Sequence, residues 1–208
     1  MVSASLTDRS YRPSPTGFSL APAARDLFRA FAAMEIRPHT THCTHCVSPG
    51  DESALAQPAD QLWPELVSRF VRKVGTTWGE AEDLRRIAPR VLALSADNHL
   101  SVSRELVWQK MRWAHWQDWP QGQHDAIGRF LVAEFTRLLR VEPRPAHVAH
   151  RWLAEVSVGI DDLSGFLTTW HDSVGPLPDP AIRDQAVGHV VELLTSSPLR
   201  PDIPATMA

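Results

Sequence analysis

The sequence predicts an all-α fold, an antiparallel helical bundle or a short stack of helical pairs, on three observations. Apolar residues recur at the three- and four-residue spacing of a helix face through most of the chain. Seventeen prolines among 208 residues fall mostly between those periodic stretches, where they punctuate helices. No stretch sustains the period-two alternation of a half-buried strand, and no Asn-Gly or Asp-Gly pair marks a hairpin. A chain of 208 residues can bury one sizeable core without disulfide staples.

Residues 1–20 are rich in Ser, Thr and Pro and are expected to form a disordered tail ahead of a single helical domain over 21–197. Within that domain, Pro22 to Ile36 is the first predicted helix, with Leu27, Phe28, Phe31 and Met34 on one face. Pro38 forbids its continuation. After the segment 39–46, Ser48-Pro49-Gly50-Asp51 caps a short helical turn through Leu55, and Pro58 breaks it. A stronger helix runs from Pro64 to Val74, presenting Leu66, Phe70, Val71 and Val74, with Gly75 to stop it. Thr77-Trp78-Gly79-Glu80 reads as a capping box opening the next helix, whose stripe is Leu84, Ile87, Val91 and Leu94 and which Pro89 should kink or divide.

Asp97-Asn98-His99 is turn chemistry, and Ser101 or Ser103 can cap a helix carrying Leu106, Val107, Met111 and Ala114. Trp119-Pro120 ends that helix and begins another, with Ile127, Phe130, Leu131, Phe135 and Leu138. Glu142-Pro143-Arg144-Pro145 is the clearest linker and a candidate hinge. Beyond it, Val148, Trp152, Leu153 and Val156 mark one helix, and Leu163, Leu167 and Trp170 the next. Asp179-Pro180 opens a last helix with Ile182, Ala186, Val187, Val190 and Leu194. Residues 198–208 read as a loose tail. The triplets Thr76-Thr77-Trp78 and Thr168-Thr169-Trp170 echo each other, but their flanks do not match at a fixed period.

The chemistry concentrates in His39-Thr40-Thr41-His42-Cys43-Thr44-His45-Cys46, which holds three imidazoles and both of the protein's cysteines within eight residues. Folding alone does not require such a density of soft and borderline donors, and it points to a bound metal, zinc foremost. A Cys-x-x-Cys turn lets two thiolates converge on one ion at about 2.3 Å each. His39 can fold back as a third ligand and His42 can supply the fourth. The alternatives for that fourth place are His99, His115 and His124; His45, between the cysteines, is the least suited of the local imidazoles. Two buried or surface thiols beside incidental histidines are the bland reading. A redox dithiol competes for the same cysteines, but it prefers a strand-to-helix turn and this chain offers no strand.

The order Cys43-x-x-Cys46, Thr76-Thr77-Trp78-Gly79, Pro89-Arg90, Leu106 to Trp116, Trp119-Pro120 and Trp170 resembles a bacterial family of small helical proteins without an assigned activity. The resemblance covers roughly residues 40 to 194. It implies the helical fold, one domain and a metal knuckle at the cysteine pair, and no reaction.

Two functions remain open. The first is an interaction or accessory module in which zinc is mainly structural and a helical surface bearing aromatic and Arg residues binds another protein. The second is a zinc-dependent enzyme with an open coordination position beside a pocket lined by Trp108, Trp113, Trp116, Trp119, His115 and His124, able to take a small molecule. The same tryptophans equally fit a helix corner. Thr41 stands where a zinc deaminase would carry its Glu, and no His-Glu-x-x-His occurs. Glu35, Asp51 and Glu52 are near enough in sequence to act as a base, though acidic residues at helix ends are more often caps. His147 and His150, and the basic edge of Arg69, Arg72 and Lys73, read as solvated faces. A formal charge of -3 disfavours nucleic acid and anionic membrane as partners. No run approaches the ~18 apolar residues of a membrane span, and Met1 to Leu20 holds no apolar stretch of the roughly 7–15 residues a secretory leader needs, so a cytoplasmic location with reduced thiols is expected.

Overall fold

The computed structural model describes residues 20–37, 39–140, 148–175 and 179–196. Among them, every regular element is a helix. The elements are α1 (Ala21–Phe31), α2 (Pro49–Leu55), α3 (Pro64–Lys73), α4 (Ala81–Ala96), α5 (Arg104–Trp113), α6 (Gln121–Leu139), α7 (Val148–Val156), α8 (Ser164–Val174) and α9 (Pro180–Ser196), with 3-10 turns at Ala59–Gln61 and Trp116–Asp118. The candidate hinge at 142–145 and the tails 1–19 and 198–208 lie outside the described residues. Leu20, at the edge of the expected tail, is buried in the core. No helix among the described residues is long and apolar enough to cross a membrane.

The long helix α6 is the hub, packing against α1, α7, α8 and α9, while α4 packs against α1, α3 and α5. α1 therefore lies against both central helices. One hydrophobic cluster runs from Leu20 to Ala186, through the predicted stripes of α3, α4 and α6. Burying those stripes is what holds helices of this length, since isolated segments shorter than about 12–15 residues are marginal in water.

Several boundaries differ from the sequence expectation for identifiable reasons. α1 ends at Phe31 rather than Ile36, and Ile36 is exposed beyond the helix end. α4 runs undivided through Pro89. An internal proline costs about 3 kcal/mol, but Leu84, Ile87, Ala88, Pro89, Val91 and Leu92 are all buried, so packing on several sides offsets the lost amide. The helix start is capped three residues later than predicted: the backbone amide of Glu80 donates to the Asp83 carboxylate at 2.9 Å, and Thr77 is engaged elsewhere. In α8 the inward residues are Phe166 and Trp170, with Leu167 exposed. Phe166 wins because its ring meets Phe135 at 5.8 Å and Trp152 at 5.2 Å, an aromatic nest that leucine one position on cannot enter. In α9, Ala186 is buried and Val187 exposed.

An ion network crosses the α5, α6 and α7 junction. Arg104 bridges Glu134 at 3.2 Å and Glu155 at 2.9 Å, and Arg151 completes Glu155 from the surface at 2.9 Å. Burial pushes the Glu134 carboxyl up from its ordinary value, and the Arg104 guanidinium opposes that shift.

Candidate metal centre

The cysteine segment lies against the α3–α4 connection. α3 ends at Lys73, and the amides of Thr76, Thr77 and Trp78 all turn back onto the Lys73 carbonyl. The connection is shaped by Gly75 and Gly79, at φ +75° and +76°, where a side chain would be strained. A Cβ on Gly75 would come within 2.6 Å of the Trp113 ring, and one on Gly79 within 2.8 Å of Phe70. Past this turn, Trp78 and Gly79 are placed to pair with another segment. His42 and Trp78 form an isolated antiparallel bridge. The Cys43 amide donates to the Thr77 carbonyl at 2.9 Å, and the Gly79 amide donates to the Thr41 carbonyl at 2.6 Å.

Side chains reinforce this bridge. Trp78, fully buried against Phe70 with ring centroids 5.3 Å apart, donates its indole N–H to the Thr40 hydroxyl at 3.1 Å. The Thr41 hydroxyl donates to Glu80 at 3.1 Å, and Lys73 Nζ donates to the Cys46 carbonyl. The segment then closes a tight turn in which the amides of Cys46 and Val47 donate to the Cys43 carbonyl at 2.9 and 3.0 Å. Val47 is buried and roots the far side. The result is an exposed turn, Cys43 to Cys46, on a backbone fixed at both ends.

On that turn the two exposed thiols are neighbours, and the Thr77 hydroxyl faces Cys46. Backbone N–H groups from His45 and the Cys46 thiol lower the pKa of Cys43 below its ordinary value. The Cys46 thiol is pushed up because its proton is held by Cys43. A divalent soft cation binds such thiols by displacing their protons.

The predicted partners are placed less simply. His39 and His42 both direct Nδ1 to Glu52 Oε1, at 3.1 and 3.6 Å, and His42 Nδ1 lies 2.9 Å from the Thr40 carbonyl. Their contacts run to the start of α2 and not to the sulfurs. Glu52 therefore holds histidines in place, a role that sequence spacing could not show. His45 is exposed on the turn. His99, His115 and His124 are not gathered with the cysteines: among the described residues no three His, Cys, Asp or Glu side chains converge as a metal-binding group. His99 is exposed in the turn after α4, His115 is exposed with φ 51°, and His124 stacks on Trp116 with ring centroids 5.1 Å apart.

The expected Trp/His-lined pocket is instead a packed corner. Trp108 and Trp116 meet edge to face at 5.7 Å, Trp116 donates to the Gly159 carbonyl at 2.8 Å, and Trp119 donates to the Ala114 carbonyl at 3.0 Å. Indoles with satisfied N–H groups and buried rings fill space rather than line it. Trp113 alone of that run is half-exposed, laid over Gly75. Two described cavities, each about 300 Å³, lie elsewhere: one beside Arg104, Trp152 and Glu155, the other beside Met34, Arg37, Glu82 and Arg86. The basic edge is not a free face either. Arg69 pairs with Asp51 at 2.6 Å, Arg72 donates to Ser101, and Lys73 braces the cysteine turn. Of the sequence-predicted pair His147 and His150, only His150 falls within the described residues.

No protein-family model, no curated protein and no solved structure matches this chain.

Proposed function

We propose that the chain is a zinc-binding helical module that serves a partner protein, with the ion held at Cys43 and Cys46 and its role mainly structural. The observation that supports this most is the adjacency of two exposed thiols, one with a lowered pKa, on a turn whose backbone is fixed by the Thr76-Thr77-Trp78-Gly79 connection. Preorganised thiolates lose little freedom on binding an ion, so the site favours a soft or borderline cation over the hard cations that oxygen ligands select. His39, His42 and His45 lie within reach in sequence to complete the coordination. The half-exposed indoles of Trp63 and Trp113 support a protein partner, since Trp is enriched among the residues that dominate interfaces.

The test is metal content by mass spectrometry on tag-free protein, for the wild type and for the double variant Cys43→Ser with Cys46→Ser. Zinc in the wild type that is lost in the double variant, with the melting temperature lowered, supports the reading, whereas zinc lost with an unchanged melting temperature turns its role toward catalysis. A wild type without zinc, or a double variant that keeps it, overturns it.

The adjacency of the two free, exposed thiols, with the Cys43 pKa lowered, favours a second reading, thiol–disulfide exchange. The Cys43 thiolate would attack a partner disulfide and Cys46 would then resolve the mixed disulfide. Two electrons and two protons pass to the partner, which leaves as a dithiol while Cys43–Cys46 becomes a disulfide. A mixed disulfide trapped by Cys46→Ser and absent from Cys43→Ser would favour this reading over zinc.

A further inference from the structure

The donor set on one chain suggests where the rest of the coordination comes from. Resting on the zinc reading, we infer that Cys43 and Cys46 form half of a metal site that a second copy of this chain completes. Four thiolates would then surround one zinc ion on a two-fold axis.

Three observations carry this. The turn is outermost: Cys43, Thr44, His45 and Cys46 are exposed in succession, so a second turn can approach without displacing any element. Of the nearby imidazoles, His39 and His42 are engaged through Nδ1, with Glu52 and, for His42, the Thr40 carbonyl, and no three donors converge among the described residues. Zinc in a closed site takes four donors at tetrahedral angles. Two rigid Cys-x-x-Cys turns related by a two-fold axis supply four identical ones, and the contact is self-complementary because each copy gives what it receives.

Charge and shape agree with this occupant. Zinc with four thiolates carries a net charge of two minus, and Lys73, whose ammonium group sits on the Cys46 carbonyl, places one positive charge beside the site from each copy. Trp113 lies half-exposed over Gly75 of the connection that seats Cys43, giving each copy an exposed apolar ring on that connection. A peptide or a foreign protein would have to bring its own thiolate pair, whereas a second copy brings one by symmetry.

The experiment is a cobalt(II) titration of the reduced, tag-free full chain, followed by absorption spectroscopy and sedimentation equilibrium. The expected result is saturation at one cobalt per two chains. The sulfur-to-cobalt charge-transfer band should have an intensity near twice that of a two-thiolate complex, and the mass should double on metal addition and revert with chelator. The variants Cys43→Ser and Cys46→Ser should stay monomeric with unchanged helical circular dichroism. Saturation at one cobalt per chain with an unchanged mass would overturn the shared site while leaving the zinc reading standing. A dimer that forms equally without metal would overturn it as well. Absence of cobalt binding would overturn both readings.

Discussion

The triplet Thr-Thr-Trp occurs twice and adopts two structures. At 76–78 it forms the turn that receives the cysteine segment, and at 168–170 it lies inside α8. Both tryptophans are buried and both indoles are bonded: Trp78 to the Thr40 hydroxyl and Trp170 to the Ala186 carbonyl. The threonines differ. Thr169 returns its hydroxyl to the Gly165 carbonyl within its own helix, whereas Thr77 turns its hydroxyl to Cys46 and its carbonyl to the Cys43 amide. Flanking residues decide the outcome. Gly75 and Gly79 bracket the first triplet at positive φ, while the second follows four helical residues that continue without interruption. A tripeptide's side chains set what can be buried; its neighbours set whether the backbone is free to pair with a distant segment.

The tryptophans should give the largest effects. Trp78→Ala is expected to cost about 4–5 kcal/mol and Trp170→Ala about 3 kcal/mol in urea unfolding, in line with large-to-small changes in a packed core. Only Trp78→Ala should also open residues 39–46 to limited proteolysis, because it alone supports the bridge. Equal opening in both variants would break the distinction.

Glycine substitutions should differ in sign. Gly79→Ala meets Phe70 at 2.8 Å with φ +76°, and a loss of about 2–3 kcal/mol is expected. Gly165→Ala has no heavy atom within 4 Å of the new Cβ and lies in a helix, so a gain of about 0.5–1 kcal/mol is expected. Thermal melts of the two variants moving in the same direction would show that glycine context is not what separates the triplets.

The hydroxyls should give the smallest effects on stability. Thr169→Ala should change unfolding free energy by no more than about 0.5 kcal/mol. Thr77→Val should change it by about 1 kcal/mol or less. It also removes a donor that holds the Cys46 pKa down, so Cys46 should be less ionised at mildly alkaline pH and react more slowly with iodoacetamide. An unchanged alkylation rate would separate Thr77 from the thiol pair.

The helices were legible because each needs only its own sequence: an apolar stripe, a capping Ser48 or Ser103, a Gly75 or a Pro64. What failed depended on residues far along the chain. Thr77-Trp78-Gly79-Glu80 satisfies the local pattern of a helix cap, yet the cysteine segment more than thirty positions earlier claims Thr77. In α8 the stripe through Leu167 fits a helix as well as the one through Phe166, and only Phe135 and Trp152 decide between them. The Arg104 network joins partners 30 and 51 positions away, beyond any local pattern. The cysteines were legible as a pair by spacing alone; the Glu52 anchor of His39 and His42 was not, since it requires α2 to fold beside them.

The arginines of α4 carry a consequence for how such a chain can diverge. Arg86 donates to the carbonyls of Leu55 and Gln57, and Arg90 to the carbonyl of Leu62. A bond to a carbonyl oxygen is indifferent to the side chain of the residue that carries it. The connector between α2 and α3 can therefore exchange most of its residues while its path stays pinned. In descendants of this sequence, drift at 56–61 should accompany unchanged arginines at 86 and 90, with the constraint resting on the helix that donates and the freedom on the loop that accepts.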